Sequence, residues 1–153
     1  MDKYYLVCIL GFGLSLYALH VERSAETDIE YVAYCDISTR VSCSKVFLSE
    51  YGKIFSHLGL IAKDSIVDFP NAFFGSVFYL LIAFIYYVSK TSKKSLALNM
   101  LLSLAVISMV LSAYLSYILT FILQDVCVVC YSTYICNILI FYWSCQSIRN
   151  INL

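Results

Sequence analysis

At 153 residues the chain is of a size that one domain accounts for, residues 1–153. Hydrophobic residues make up 61%, charged residues 13%, and mean hydropathy is +0.82, which excludes an ordinary soluble domain, where about half the residues are apolar and about a quarter charged. Ten Lys and Arg balance ten Asp and Glu, so the basic footprint of a nucleic-acid binder is excluded as well.

In chain order, the first apolar run covers residues 4–20. It is near the lower limit for crossing a hydrocarbon core of about 30 Å. No small-residue cleavage site is evident after it, so a retained span is expected rather than a removed signal. Residues 21–71 follow. The stretch 21–34 is polar and mixed in charge, which predicts extended or irregular backbone. The stretch 35–43 is a short loop bounded by Cys35 and Cys43. Within 44–58, Phe47, Tyr51, Ile54, Phe55 and Leu58 recur at helical spacing, and Gly59 is a natural stop. That pattern predicts an amphipathic cap helix on the membrane surface, over the mouth of the spans. Residues 64–70 lead back, and Pro70 imposes a non-helical entry just before Asn71. Three further spans are expected at about 72–88, 96–123 and 126–147. The third is long enough to tilt or to project. Short links after the second and third spans predict an up-down arrangement. The fold class is therefore all-α, an integral membrane four-helix bundle with a loop and cap helix between helices 1 and 2.

Charge sets the expected orientation. Lys3, Lys90, Lys93, Lys94 and Arg149 flank the spans on one side, against the single acid Asp2. The positive-inside rule places them, with both termini, in the cytosol. Segment 21–71, with five basic and eight acidic residues, then faces the lumen or the outside.

Four of the seven cysteines fall at that lumenal face: Cys35 and Cys43 in the loop, Cys127 and Cys130 at the head of span four. Disulfides form and persist on that side. One pair in a mobile segment and one at a helix head suggest thiol–disulfide exchange between them. Asp125 is the expected N-cap of span four. Cys127 and Cys130 would then lie in its first turns, where free backbone N–H groups favour a thiolate. Thr133, Tyr134 and Asn137 stand three, four and seven residues beyond Cys130, on roughly one face. Polar side chains inside a span should face the bundle interior. There they can line a pocket for an apolar molecule with a few polar atoms, such as a quinone.

Plainer readings stand beside these. A Cys-x-x-Cys can be two small residues packed in a helix. Cys35 and Cys43 can form a static staple. Four cysteines can hold zinc, although C-x7-C is an unusual spacing for it and no metal is expected here. Cys8, Cys136 and Cys145 read as inert thiols within spans. Asn71 can merely cap span two. His20 and His57 have no visible partner set. A structural four-span protein of the claudin type also carries a cysteine pair after its first span. Its tryptophan pattern is missing here, since the one Trp is Trp143, and a Cys-x-x-Cys heading span four has no purpose in it.

Several short runs together resemble the vitamin K epoxide reductase family. They are Ser15-Leu16-Tyr17-Ala18-Leu19-His20-Val21, Cys35-Asp36, Ser42-Cys43-Ser44-Lys45-Val46-Phe47, Asn71 with Phe74-Gly75, and Cys127-Val128-Val129-Cys130 with Thr133-Tyr134. The likeness extends from about Leu14 to Asn137 in matching order, and is to the single-domain eukaryotic members rather than to bacterial relatives with a fused thioredoxin-like domain. It implies reduction of vitamin K 2,3-epoxide to the quinone and on to the hydroquinone, in support of gamma-carboxylation. Residue by residue, it implies that Cys130 attacks the substrate and Cys127 resolves the adduct. Cys43 and Cys35 would relay electrons from a lumenal thioredoxin-fold oxidoreductase. Asn71 and Tyr134 would hydrogen-bond the quinone oxygens, and Phe47 would pack over the ring. It further implies redox-active disulfides with no permanently bound cofactor, inhibition by anticoagulants of the warfarin type, and an endoplasmic-reticulum membrane location. The lysine-rich tail of many members is not seen at Asn152-Leu153. The residues also admit a quinone-linked oxidase of lumenal thiols.

Overall fold

A computed structural model describes residues 2–149 apart from 29, 58, 60, 61, 63, 64, 66, 67, 93 and 94. Six α-helices are present among the described residues: α1 (Lys3–Thr27), α2 (Cys43–Phe47), α3 (Ile54–His57), α4 (Asn71–Ser92), α5 (Ser95–Tyr117) and α6 (Val128–Arg149). A 3₁₀ turn (Glu50–Gly52) lies between α2 and α3, and a π-helical segment (Ile118–Leu123) prolongs α5. Among the described residues, four helices are long and apolar enough to cross a membrane: Lys3–Thr27, Asn71–Thr91, Leu96–Leu123 and Val128–Arg149. They form the expected bundle. Helix α1 packs on α4 and α6, and α5 packs on α4 and α6, which closes a ring.

Lipid is as apolar as leucine, so such a bundle is held by close packing and interhelical hydrogen bonds rather than by escape from water. Small residues let α1 and α4 approach. The ring of Tyr79 occupies the space where a Cβ on Gly11 would sit, and a Cβ on Gly75 would lie 2.9 Å from Ser15 Oγ. Tyr79, Ile82, Leu101 and Ile140 are almost fully buried between the helices. Polar links cross the bundle too. The Tyr79 hydroxyl donates to Asn137 Oδ1 at 3.0 Å, and Asn137 Nδ2 donates to Ser112 Oγ at 2.8 Å.

The ends of the elements depart from expectation. Helix α1 does not stop at His20 but continues to Thr27, so residues 21–27 are helical rather than irregular. Val21 and Glu22 are 0% and 3% exposed. Val21 packs in a cluster with Cys43 and Cys127, and this tertiary contact outweighs the polar local sequence. The cap is not one helix. It breaks into α2, the 3₁₀ turn and α3. The break falls where Gly52 lies against the Phe47 carbonyl, a contact that a Cβ would block. Ser49 Oγ also donates to Val46 O at 2.6 Å, closing the end of α2. Gly59 does end the segment, with φ +71°. Leu58, Lys93, Lys94, Asp64 and the residues after Arg149 lie outside the described residues.

Candidate active site

The π segment ends at Gln124, whose φ of 55° turns the chain sharply before α6. π-Helical turns in α-helices are frequent at functional sites. Val126 then pairs with the loop 35–43. Its N–H donates to Arg40 O at 2.7 Å, and its carbonyl accepts from Ser42 N–H at 3.1 Å. This short parallel bridge between Val41 and Val126 sets the loop against the head of α6.

Both expected cysteine pairs are disulfides, Cys35–Cys43 with Cα atoms 5.8 Å apart and Cys127–Cys130 with Cα atoms 5.2 Å apart. Cys43 and Cys127 are fully buried in one apolar cluster, so the two disulfides adjoin. Asp125 is not the N-cap of α6. Cys127 Sγ accepts the Cys130 N–H at 3.2 Å. Asp125, 4% exposed, is instead paired with Lys45 Nζ at 2.7 Å. That ion pair ties α2 to the head of α6. Asp36 organises the other disulfide. Its carboxylate accepts from Ala33 N–H at 3.0 Å, Ser44 N–H at 3.1 Å and the Ser44 hydroxyl at 2.6 Å. Partial burial pushes the Asp36 carboxyl up, but the Ser44 hydroxyl and the Ala33 and Ser44 amides outweigh it and hold the group below its ordinary value.

A cavity of about 330 Å³ opens beneath the cap. Of the Cys127–Cys130 pair at the head of α6, Cys130 lines it and Cys127 does not. The expected stripe Cys130, Thr133, Tyr134 and Asn137 forms one wall, and Phe47 and Asn71 stand in others. All the residues expected to meet a substrate are therefore brought together. The Tyr134 hydroxyl makes no hydrogen bond to any described residue; its ring stands edge-on to Tyr131, with centroids 5.7 Å apart. Asn71 is the first residue of α4, and its side chain turns back to the cap. Its Oδ1 accepts from Ile54 N–H at 3.0 Å, and its Nδ2 donates to Tyr51 O at 2.6 Å. An amide nitrogen carries two hydrogens, so one remains for the cavity.

Sequence reasoning gave no site role to five contributors. Tyr79 and Ser112 anchor the Asn137 amide at the cavity floor, and polar residues inside spans were the available signal. Lys45 and Glu22 gave no local signal. Tyr17 also approaches the loop disulfide, its hydroxyl 3.8 Å from Cys35 Sγ. The two histidines make ring contacts, His20 with Tyr31 and His57 with Tyr51. Among the described residues no cluster of three metal-ligating side chains occurs.

Four apolar helices around a cavity, with one cysteine of a disulfide in its wall and a second disulfide alongside, define a helical membrane protein that carries two adjoining disulfides at one end of its bundle. The family model for the vitamin K epoxide reductase family matches residues 4–145, and the chain belongs to that family. It is 37% identical over 144 residues to vitamin K epoxide reductase complex subunit 1 of Mus musculus, covering 93% of this chain and 86% of the mouse protein. It is 37% identical over 132 residues to the Rattus norvegicus protein of that name, covering 86% and 80%.

Proposed function

We propose that residues 1–153 act as one unit, a membrane oxidoreductase that reduces vitamin K 2,3-epoxide to the quinone and the quinone to the hydroquinone. Family membership and the two relatives support the activity. The observation that carries the mechanism is the split of the Cys127–Cys130 pair. Cys130 faces the cavity, while Cys127 is buried against Cys43.

The proposed cycle starts with Cys127 and Cys130 reduced. The Cys130 thiolate attacks the substrate ring. Cys127 then attacks Cys130 sulfur, closing their disulfide and leaving the electron pair on the ring. The free Cys43 thiolate attacks Cys127, and Cys35 resolves that mixed disulfide, which leaves Cys35–Cys43 oxidised. A thioredoxin-fold dithiol in the lumen would reduce it. The Tyr134 phenol and the second Asn71 amide hydrogen suit the two ring oxygens, where donors stabilise developing negative charge. Phe47 and the cap exclude water, and the isoprenoid tail leaves between helices into lipid. Warfarin-type anticoagulants would occupy the same cavity. The positive-inside rule supports both termini in the cytosol and the cavity at the lumenal side of the endoplasmic-reticulum membrane.

The test has two arms. Purified protein with a dithiol should reduce vitamin K epoxide in preference to ubiquinone; equal or better ubiquinone turnover would move the assignment to a quinone-linked thiol oxidase. With Cys35 and Cys130 replaced by Ala, a Cys43–Cys127 mixed disulfide should accumulate. A Cys35–Cys43 bond that never exchanges in the intact protein would remove the relay.

A further inference from the structure

One buried acid has no part in that scheme. Glu22, one and a half turns before the end of α1, is 3% exposed and lines the cavity that Cys130 and Tyr134 line. Its Oε1 is closed off from water and has no hydrogen-bond partner among the described residues. A carboxylate in such a place is costly, and the neutral acid, which holds a transferable proton, is the cheaper form.

The surroundings connect it to water. Glu26 lies one turn further along the same face of α1 and is about half exposed. Lys53, between the 3₁₀ turn and α3, bonds Glu26 at 3.3 Å rather than Glu22. Burial draws the Lys53 ammonium down, but the Glu26 hydrogen bond and the charges of Glu26, Glu22 and Asp68 outweigh it and hold it above its ordinary value. Asp68, on the link before α4, has its Oδ1 buried and without a hydrogen-bond partner among the described residues as well. From the cavity outward the order is therefore Glu22, then Glu26 with Lys53, then water, with Asp68 beside them.

We infer that Glu22 is the proton carrier of the cavity, delivering its proton to a substrate oxygen as Cys130 attacks. The inference rests on the reductase reading above. The balance is closed by the dithiol itself. Two thiols and a quinone become a disulfide and a hydroquinone; the sulfurs supply two electrons and two protons, and the two ring oxygens receive the protons. Cys130 attacks as a thiolate once its proton has left to outside water, and the ring oxygen needs an acid as charge builds on it. The protonated Glu22 fills that role. Glu26 and Lys53 return a proton to it from outside water between turnovers.

The test uses the full chain in lipid nanodiscs, with vitamin K quinone and a dithiol. Glu22→Gln keeps the shape of the side chain and removes the proton. Turnover should fall by about 10²-fold, the lower range for a positioned acid–base group, with KM little changed. In the wild type, kcat should fall on the alkaline side as the acid loses its proton. That limb should vanish in Glu22→Gln and return, with part of the rate, in Glu22→Asp. Wild-type kcat in Glu22→Gln overturns the inference. So does a uniform loss that keeps the alkaline limb, which assigns Glu22 a packing role. Should Glu22→Gln fail to fold, the infrared difference between reduced and oxidised wild type decides: a protonated-carboxyl band must change, and a flat carboxyl region overturns the inference. Cys130→Ala separates the two readings. If turnover depends on Cys130 and ignores Glu22, only the proton carrier is lost; if the wild type does not turn over, both are.

Discussion

At one end of the bundle Tyr4 stacks on Tyr86 with ring centroids 4.1 Å apart, tilts against Trp143 and shares a hydrogen bond of 3.1 Å with Ser144. Lys90 and Asp2 pair 3.3 Å apart beside them. At the other end, among the described residues, Tyr134 faces a cavity with its hydroxyl unbonded, Glu22 has a carboxyl oxygen without a partner, and three short helical pieces replace a continuous helix. The same residue types are used in both places. Where their polar atoms find each other they fix the helices; where those atoms are left without partners they are available to a ligand. Unsatisfied groups in a low-dielectric setting cost stability, and they are the groups that gain most from a polar substrate atom.

The contrast can be broken by substitution. The largest effect is expected for Cys130→Ala, which should reduce epoxide turnover to background in a dithiol-driven assay. Cys8→Ala, a buried thiol on the tightly packed side, should turn over at the wild-type rate. Next comes a pair of matched phenols. Tyr134→Phe should lower kcat by roughly 10²–10³, as for loss of one donor to a developing oxyanion, without lowering thermal stability. Tyr4→Phe should do the reverse, leaving turnover intact and costing about 0.6 kcal/mol, the mean for a hydrogen bond inside a membrane bundle. Equal kinetic effects from the two would erase the distinction between the ends.

Smaller effects should follow from the ion pair that ties the cap down. Asp125 is 4% exposed but Lys45 is 61% exposed, so the two halves are not equivalent. Lys45→Met strands a buried carboxylate and should cost about 1–2 kcal/mol, well below the cost of breaking a fully buried pair because water reaches the lysine side. Asp125→Asn frees an exposed lysine and should cost less. Chemical denaturation of both variants in one detergent would show the order, and a larger loss in Asp125→Asn would contradict it. The smallest effect concerns Asp36. Its carboxyl is held below its ordinary value in the folded protein, so its contribution is present above the unfolded pKa and is lost as pH falls through the folded one. The Ser44 amide should therefore exchange faster with solvent only in acid below the usual carboxylate range, and Asp36→Asn should remove that acid dependence.

The bundle was legible because apolar runs of about seventeen residues or more have few alternatives to a spanning helix, and the alternation of spans followed from short links. The cysteines and the stripe below Cys130 were legible because they depend on spacing along one chain segment. What escaped depends on partners distant in sequence. Asp125 reads as a cap until Lys45, eighty positions away, is placed beside it. Residues 21–27 read as irregular because the burial of Val21 and Glu22 is supplied by the cap and the cavity wall. The helical spacing of Phe47, Tyr51 and Ile54 was real. The break at Gly52 is set by a backbone contact with Phe47 that hydrophobic spacing does not encode.

Trp143 sits on the closed side of the molecule, tilted against Tyr4 with ring centroids 5.6 Å apart. Along α6 it is thirteen residues from Cys130, about 20 Å at the helical rise. The chain's single indole is thus an optical label already installed, outside contact distance of anything in the cavity. Its emission colour and anisotropy report the bundle's far end alone, whereas its loss of intensity by energy transfer to an absorbing quinone would measure occupancy. One spectrum separates whether the cavity is filled from whether filling it is felt across the helices.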